Sequence, residues 1–103
     1  MESPIPKRLK EARLLAKLSQ KKLGIAAGVD EFSASARLNH YELGRHIPDY
    51  WTLKRIADVL SVPRSYFYAK EDELAEVIKL FFALSSDKRA KVLHFIKSIT
   101  TKK

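Results

Sequence analysis

The chain has 103 residues, no cysteine and a formal net charge of +8, from 20 basic and 12 acidic residues. Its hydrophobic share of 46% suits one globular domain with a short appendage. The lack of cysteine excludes disulfides, iron–sulfur clusters, zinc fingers and thiol catalysis. No apolar run approaches a membrane span and the N-terminus lacks a secretory pattern, so we expect a cytoplasmic protein with no membrane partner.

The positive charge lies mostly in residues 1–70, which hold 13 basic and 7 acidic residues, or +6. Residues 71–103 hold 7 basic and 5 acidic residues, or +2. A basic front part favours a polyanionic partner, and nucleic acid before a membrane surface.

Apolar residues recur at helical spacing along the whole chain, and no stretch alternates as a strand would. We therefore predict an all-α fold. Ser19 and Asp49 are expected to cap helix starts, and Gly28 and Gly44 to end helices. The predicted helices cover approximately residues 6–17, 19–27, 33–43 (or 30–43), 49–60, 64–68, 72–84 and 87–99.

An ordered set of short segments indicates a DNA-binding fold. Its parts are RLKEAR (8–13), LSQKKL (18–23), AGV (27–29), YELGR (41–45), Pro48 and LKRIADVL (53–60). This order resembles the phage repressor and Cro type of helix-turn-helix, the XRE family, over residues 5–68. The resemblance implies a five-helix DNA-binding domain over residues 1–70. A C-terminal two-helix hairpin would follow over residues 71–103.

Two helices joined by a short glycine-containing turn cross at a steep angle, and the second can enter the DNA major groove. The first lies across the backbone and presents free N–H groups to a phosphate. The implied function is a sequence-specific transcriptional regulator, a repressor, whose recognition helix near 33–43 reads double-stranded DNA.

The resemblance assigns two sets of DNA contacts. Ala34 and the base-reading candidates Ser35, Ala36, Arg37 and His40 match positions that meet bases or nearby phosphates. The phosphate-contacting candidates are Gln20, Lys21, Ser33, Arg45 and His46. Arg37 has the chemistry to bond guanine O6 and N7, and a phosphate contact or surface ion pair remains open.

The chain departs from the family pattern just before these positions. Eleven residues separate Val29 from Tyr41, about one helical turn more than usual. The extra segment either extends the recognition helix or widens the turn before it. We expect Asp30 and Glu31 to point away from DNA, because carboxylates repel phosphates, and Phe32 to be an early apolar anchor.

The resemblance also places Arg13 and Glu42 on positions that form a partly buried structural ion pair between the first helix and the recognition helix. Nothing else in the chain indicates catalysis. The histidines and carboxylates follow no metal-binding spacing, and no glycine-rich phosphate loop or nucleophile elbow is present. We expect no metal, no cofactor and no enzymatic activity.

The last two predicted helices carry more apolar surface than two short helices need. They either pack on their own globule or form a two-fold homodimer interface, which we favour. The residues expected in that interface are Val77, Ile78, Phe81, Phe82, Phe95, Ile96 and Ile99. The alternative function is an antitoxin-like or adaptor protein that binds an unknown protein partner through residues 72–99 and uses DNA binding for autoregulation. RNA binding fits less well, because an exposed helix suits the B-form major groove.

Overall fold

The computed structural model describes residues 3–101. Across this range it contains helices and no strand, which confirms the predicted all-α class. The helices are α1 (Ile5–Leu15), α2 (Gln20–Ala26), α3 (Glu31–Glu42), α4 (Tyr50–Leu60), α5 (Ser65–Tyr68), α6 (Asp72–Phe82) and α7 (Ser86–Thr100). None of these helices combines the length and apolar character needed to cross a lipid bilayer.

One hydrophobic core joins α1 to α5 and reaches into α6. Helix α3 packs on α1 and α2, α4 packs on α2, and α5 packs on α1 and α6. Ala75 brings α6 into this core. The large apolar side chains that are fully buried there are Leu9, Leu23, Leu38, Leu53, Ile56, Tyr66 and Phe67. These residues hold the first five helices in a fixed arrangement.

Side-chain caps set the start of the helices around the turn. Ser19 accepts a hydrogen bond from the Lys22 N–H at 3.0 Å, and Asp30 accepts one from the Phe32 N–H at 3.0 Å. Asp49 accepts from the Thr52 N–H at 2.8 Å, and this bond lowers the pKa of its carboxyl group. Each cap satisfies an N–H that the helix itself leaves without a partner.

A buried arginine attaches α6 to α1. The Arg8 side chain is 1% exposed and donates to the Ala69 carbonyl at 2.8 Å and the Lys70 carbonyl at 3.1 Å. It also pairs with Asp72 at 2.9 Å. Burial alone would lower the pKa of Arg8, but its bonds to Asp72 and Glu11 outweigh this effect and raise it. Asp72 therefore anchors the first turn of α6.

Helix α7 leads away from this core. It has no buried residue, and the molecule is elongated, with extents of 57 × 31 × 22 Å. Arg89 joins α7 to the end of α6 by donating to the carbonyls of Phe81 at 3.1 Å and Phe82 at 2.5 Å. The close packing partner of α6 is α5, so the two C-terminal helices do not form a closed hairpin along their length.

Candidate nucleic-acid interface

Helices α2 and α3 and the turn between them form a helix-turn-helix unit. Gly28, with a φ of +87°, ends α2 in a conformation that favours glycine. Gly24 faces Ala34 so closely that a side chain at Gly24 would overlap it. The two helices therefore meet almost backbone to backbone, and α3 is held at a fixed angle to α2.

The extra segment extends the recognition helix, which begins at Glu31 and continues unbroken to Glu42. Two expectations were wrong as a result. Ala34 is fully buried with Leu38 and does not face DNA. Phe32 is 96% exposed and does not anchor the core. The cause is the helical phase, which runs back from Tyr41 without interruption and turns position 34 inward and position 32 outward.

The outer face of α3 carries the proposed base-reading residues. Ala36 and His40 are one helical turn apart on the side opposite the buried residues, with Ser35 and Arg37 on either flank. Ser35, Ala36 and Arg37 are exposed and His40 is half-buried. The Arg37 guanidinium donates to the Tyr41 hydroxyl at 3.0 Å, and this bond raises the pKa of Arg37.

The proposed phosphate contacts lie at the two ends of this face. Lys21 is exposed at the start of α2, and Ser33 donates to the Asp30 carbonyl at 3.4 Å in the first turn of α3. Arg45 and His46 are exposed in the loop after α3. The His46 ring meets the His40 ring edge to face, with 5.0 Å between ring centres.

The side chain of Gln20 turns toward α3. Its amide nitrogen donates to the Asn39 side-chain oxygen at 3.2 Å and to a Glu42 carboxylate oxygen at 3.0 Å. The position of Asn39 along α3 thus serves the contact between the two helices.

Arg13 and Glu42 form the ion pair that joins α1 to α3. The Arg13 Nε lies 2.5 Å from one carboxylate oxygen and its Nη2 lies 3.0 Å from the other. The side chains are 11% and 3% exposed, respectively. Arg13 also donates to the Leu18 carbonyl at 2.9 Å, before α2. This network, together with Gln20, connects all three helices around the recognition helix.

Sequence reasoning missed Arg55, which positions the turn of the motif from α4. Its Nε donates to the Ala27 carbonyl at 2.8 Å, at the end of α2. The Arg55 side chain also lies against Gly28, where an added Cβ would meet it at 3.4 Å. The available signal was the end of α2, because terminal carbonyls need a donor from elsewhere.

Residues 3–101 contain no cluster of three or more histidines and carboxylates arranged to hold a metal ion. The arrangement instead consists of a rigid pair of helices with one exposed face on the second. This geometry defines a helix-turn-helix DNA-binding domain, in which such a face enters the major groove.

Comparison with known proteins gives the same class. The helix-turn-helix family model matches residues 9–67, which is more than half of the chain. The chain belongs to this family, in its XRE type of DNA-binding transcription regulators. The crystal structure of the transcriptional regulator BswR is similar, with 47% sequence identity and a TM-score of 0.85, covering 91% of this chain and 93% of that one. No curated protein sequence matches the chain.

Proposed function

We propose that this protein is a sequence-specific transcriptional repressor that binds double-stranded DNA as a homodimer in the cytoplasm, without enzymatic activity or a cofactor. In this proposal, residues 1–70 bind DNA and residues 71–103 join the two copies. The observation that carries it is the exposed outer face of α3, which is held rigidly by the buried Arg13–Glu42 pair. Repression follows from occupancy of a promoter by the bound dimer.

Base reading is assigned to the outer face of α3. His40 can donate to guanine, and Ala36 can contact a thymine methyl group. Ser35 is small enough to let the helix approach the base edges closely. Arg37 uses one of its several N–H donors on Tyr41 and keeps others for guanine or a phosphate. The four residues together would read a short half-site.

The phosphate contacts supply affinity that depends on salt. We assign them to Lys21, Ser33, Arg45 and His46, and to Gln20. Both amide N–H groups of Gln20 are engaged by Asn39 and Glu42, so its phosphate contact would use the backbone N–H in the first turn of α2.

Dimerisation is supported by the apolar surface of the C-terminal helices. Phe95 and Ile99 of α7 are 62% and 66% exposed, although they share one helical face. The interface we propose comprises Val77, Ile78, Phe81, Phe82, Phe95, Ile96 and Ile99. Ile78 also packs against the core of its own chain, so it would contribute only part of its surface. Two copies would present recognition helices about 34 Å apart, matching a near-palindromic operator.

The test is selection of random duplex DNA by the purified protein at physiological salt, followed by sequencing. We expect an inverted repeat with half-sites about one DNA turn apart. His40→Ala should lose preference at one position of each half-site. His94→Ala is the matched control, because this exposed histidine lies on α7 and should leave the selected sequence unchanged. Salt-sensitive binding without enrichment would contradict the proposal and direct attention to a protein partner of residues 72–99.

A further inference from the structure

Phe32 is the most exposed large hydrophobic residue of the described chain, at 96%. A single exposed apolar residue is common on protein surfaces and does not indicate a function by itself. The position of Phe32 on the recognition helix gives its exposure meaning.

Phe32 continues the line formed by Ala36 and His40. An α-helix has about 3.6 residues per turn, so residues four apart lie above one another on one face. Ala34, Leu38 and Tyr41 are buried on the opposite face of α3. The line therefore extends one turn toward the N-terminus of α3, the end from which helix-turn-helix proteins contact base edges.

The backbone around Phe32 is fixed in the helix. The Phe32 N–H is capped by the Asp30 carboxylate at 3.0 Å, and two residues further on Ala34 is packed against Gly24. The aromatic ring consequently projects outward from α3 and has no path into the core of its own chain.

The ring has no hydrogen-bonding group, which limits what it can recognise. The major groove displays one apolar group, the C5 methyl of thymine. Exposed carboxylates at Asp30 and Glu31 lie beside the ring and disfavour a phosphate as its neighbour. We propose that Phe32 is a specificity-determining residue that contacts thymine methyl groups next to the bases read by Ala36 and His40. This inference rests on the proposed sequence-specific binding.

The experiment uses the selected operator and a series of duplexes in which single thymines are replaced by deoxyuridine, which lacks the methyl group. The unmodified protein should lose affinity at one or two positions of each half-site. Phe32→Ala should weaken operator binding about tenfold, as expected for one lost base contact, and should be insensitive to deoxyuridine at those positions. Phe32→Leu, which keeps an apolar side chain, should retain part of the preference for thymine.

Glu31→Ala is the control, because it removes a neighbouring charge and leaves the ring in place. It should raise affinity for all duplexes alike and keep the deoxyuridine penalty. Thermal unfolding of each variant should match the unmodified protein, since both side chains are exposed. Equal operator binding by Phe32→Ala, or an equal loss on thymine and deoxyuridine duplexes, would overturn this inference alone. Failure to select any operator would overturn both this inference and the proposed function.

Discussion

Gly24 and Ala34 meet at a distance that only glycine permits. A Cβ added to Gly24 would lie 2.8 Å from the Ala34 Cβ and 2.9 Å from the Leu38 Cδ2. The Ala34 Cβ cannot move without its helix, so this contact determines how closely α2 and α3 approach. The angle at which the recognition helix is presented depends on that approach.

Gly24→Ala should destabilise the protein, although alanine is the better helix former. The gain in helix propensity is about 1 kcal/mol, whereas overpacking at a tight contact costs about 1–3 kcal/mol. We expect a net loss of about 1 kcal/mol, measured by urea unfolding. The exchanged pair Gly24→Ala with Ala34→Gly should recover part of the loss. A single variant as stable as the unmodified protein would contradict the packing argument.

Glu42→Gln should cost about 3 kcal/mol of folding stability or somewhat more, because Arg13 would keep a largely buried charge without its carboxylate partner. The hydrogen bond from Arg13 to the Leu18 carbonyl remains and limits the loss. Asp58→Asn is the matched control. It breaks the exposed Lys54–Asp58 pair and should cost no more than about 0.5 kcal/mol. Similar losses in chemical denaturation would show that burial of the first pair has no energetic effect.

The stability of the protein should depend on Asp72 at acidic pH. Its hydrogen bonds from Lys7 and Arg8 lower its pKa below the ordinary 3.8. A lowered pKa in the folded state stabilises the fold above the ordinary value, and this contribution disappears as the pH falls through the lowered one. Asp72→Asn should therefore be less stable than the unmodified protein at pH 7, with the difference vanishing at the acid end of a pH series. Lys7→Ala should remove part of the same dependence, and a constant difference would contradict it.

Phe95→Glu combined with Ile99→Glu should give a monomer at tens of micromolar, because charge would replace the apolar face of α7. Helix content should persist, since no residue of α7 is buried within its own chain. Ala90→Glu adds a charge on the opposite face of α7 and should leave the dimer intact. Analytical ultracentrifugation measures both variants. A monomeric mass for the unmodified protein, alone and with operator DNA, would rule out the proposed dimer.

Arg37→Ala distinguishes the two roles open to this side chain. If Arg37 reads guanine, the variant should lose about 1–3 kcal/mol of binding free energy on operators with that base and little on those without it. A uniform loss across sequences with a shallower salt dependence would instead identify a phosphate contact. Binding titrations at several salt concentrations, on the operator and on a duplex changed at one base pair, separate these outcomes.

Local signals in the sequence determined most of the secondary structure. Helical spacing of apolar residues predicted every helix, and the caps at Ser19 and Asp49 lie where short-range hydrogen bonding favours them. These features depend on residues within one or two turns of each other, so they can be read without knowing the fold. The positions of Arg13 and Glu42 came from the family resemblance, and the structure joins the two side chains.

Tertiary packing decided what the pattern left open. The extra residues before the recognition helix suited either a longer helix or a wider turn, and the contact of Ala34 with Gly24 of another helix selects the longer one. That choice buries Ala34 and exposes Phe32. The burial of Arg8 and the path of α7 likewise depend on neighbours far along the chain. Periodicity shows that a helix has an apolar side, but only contacts between helices determine which residue of that side is buried.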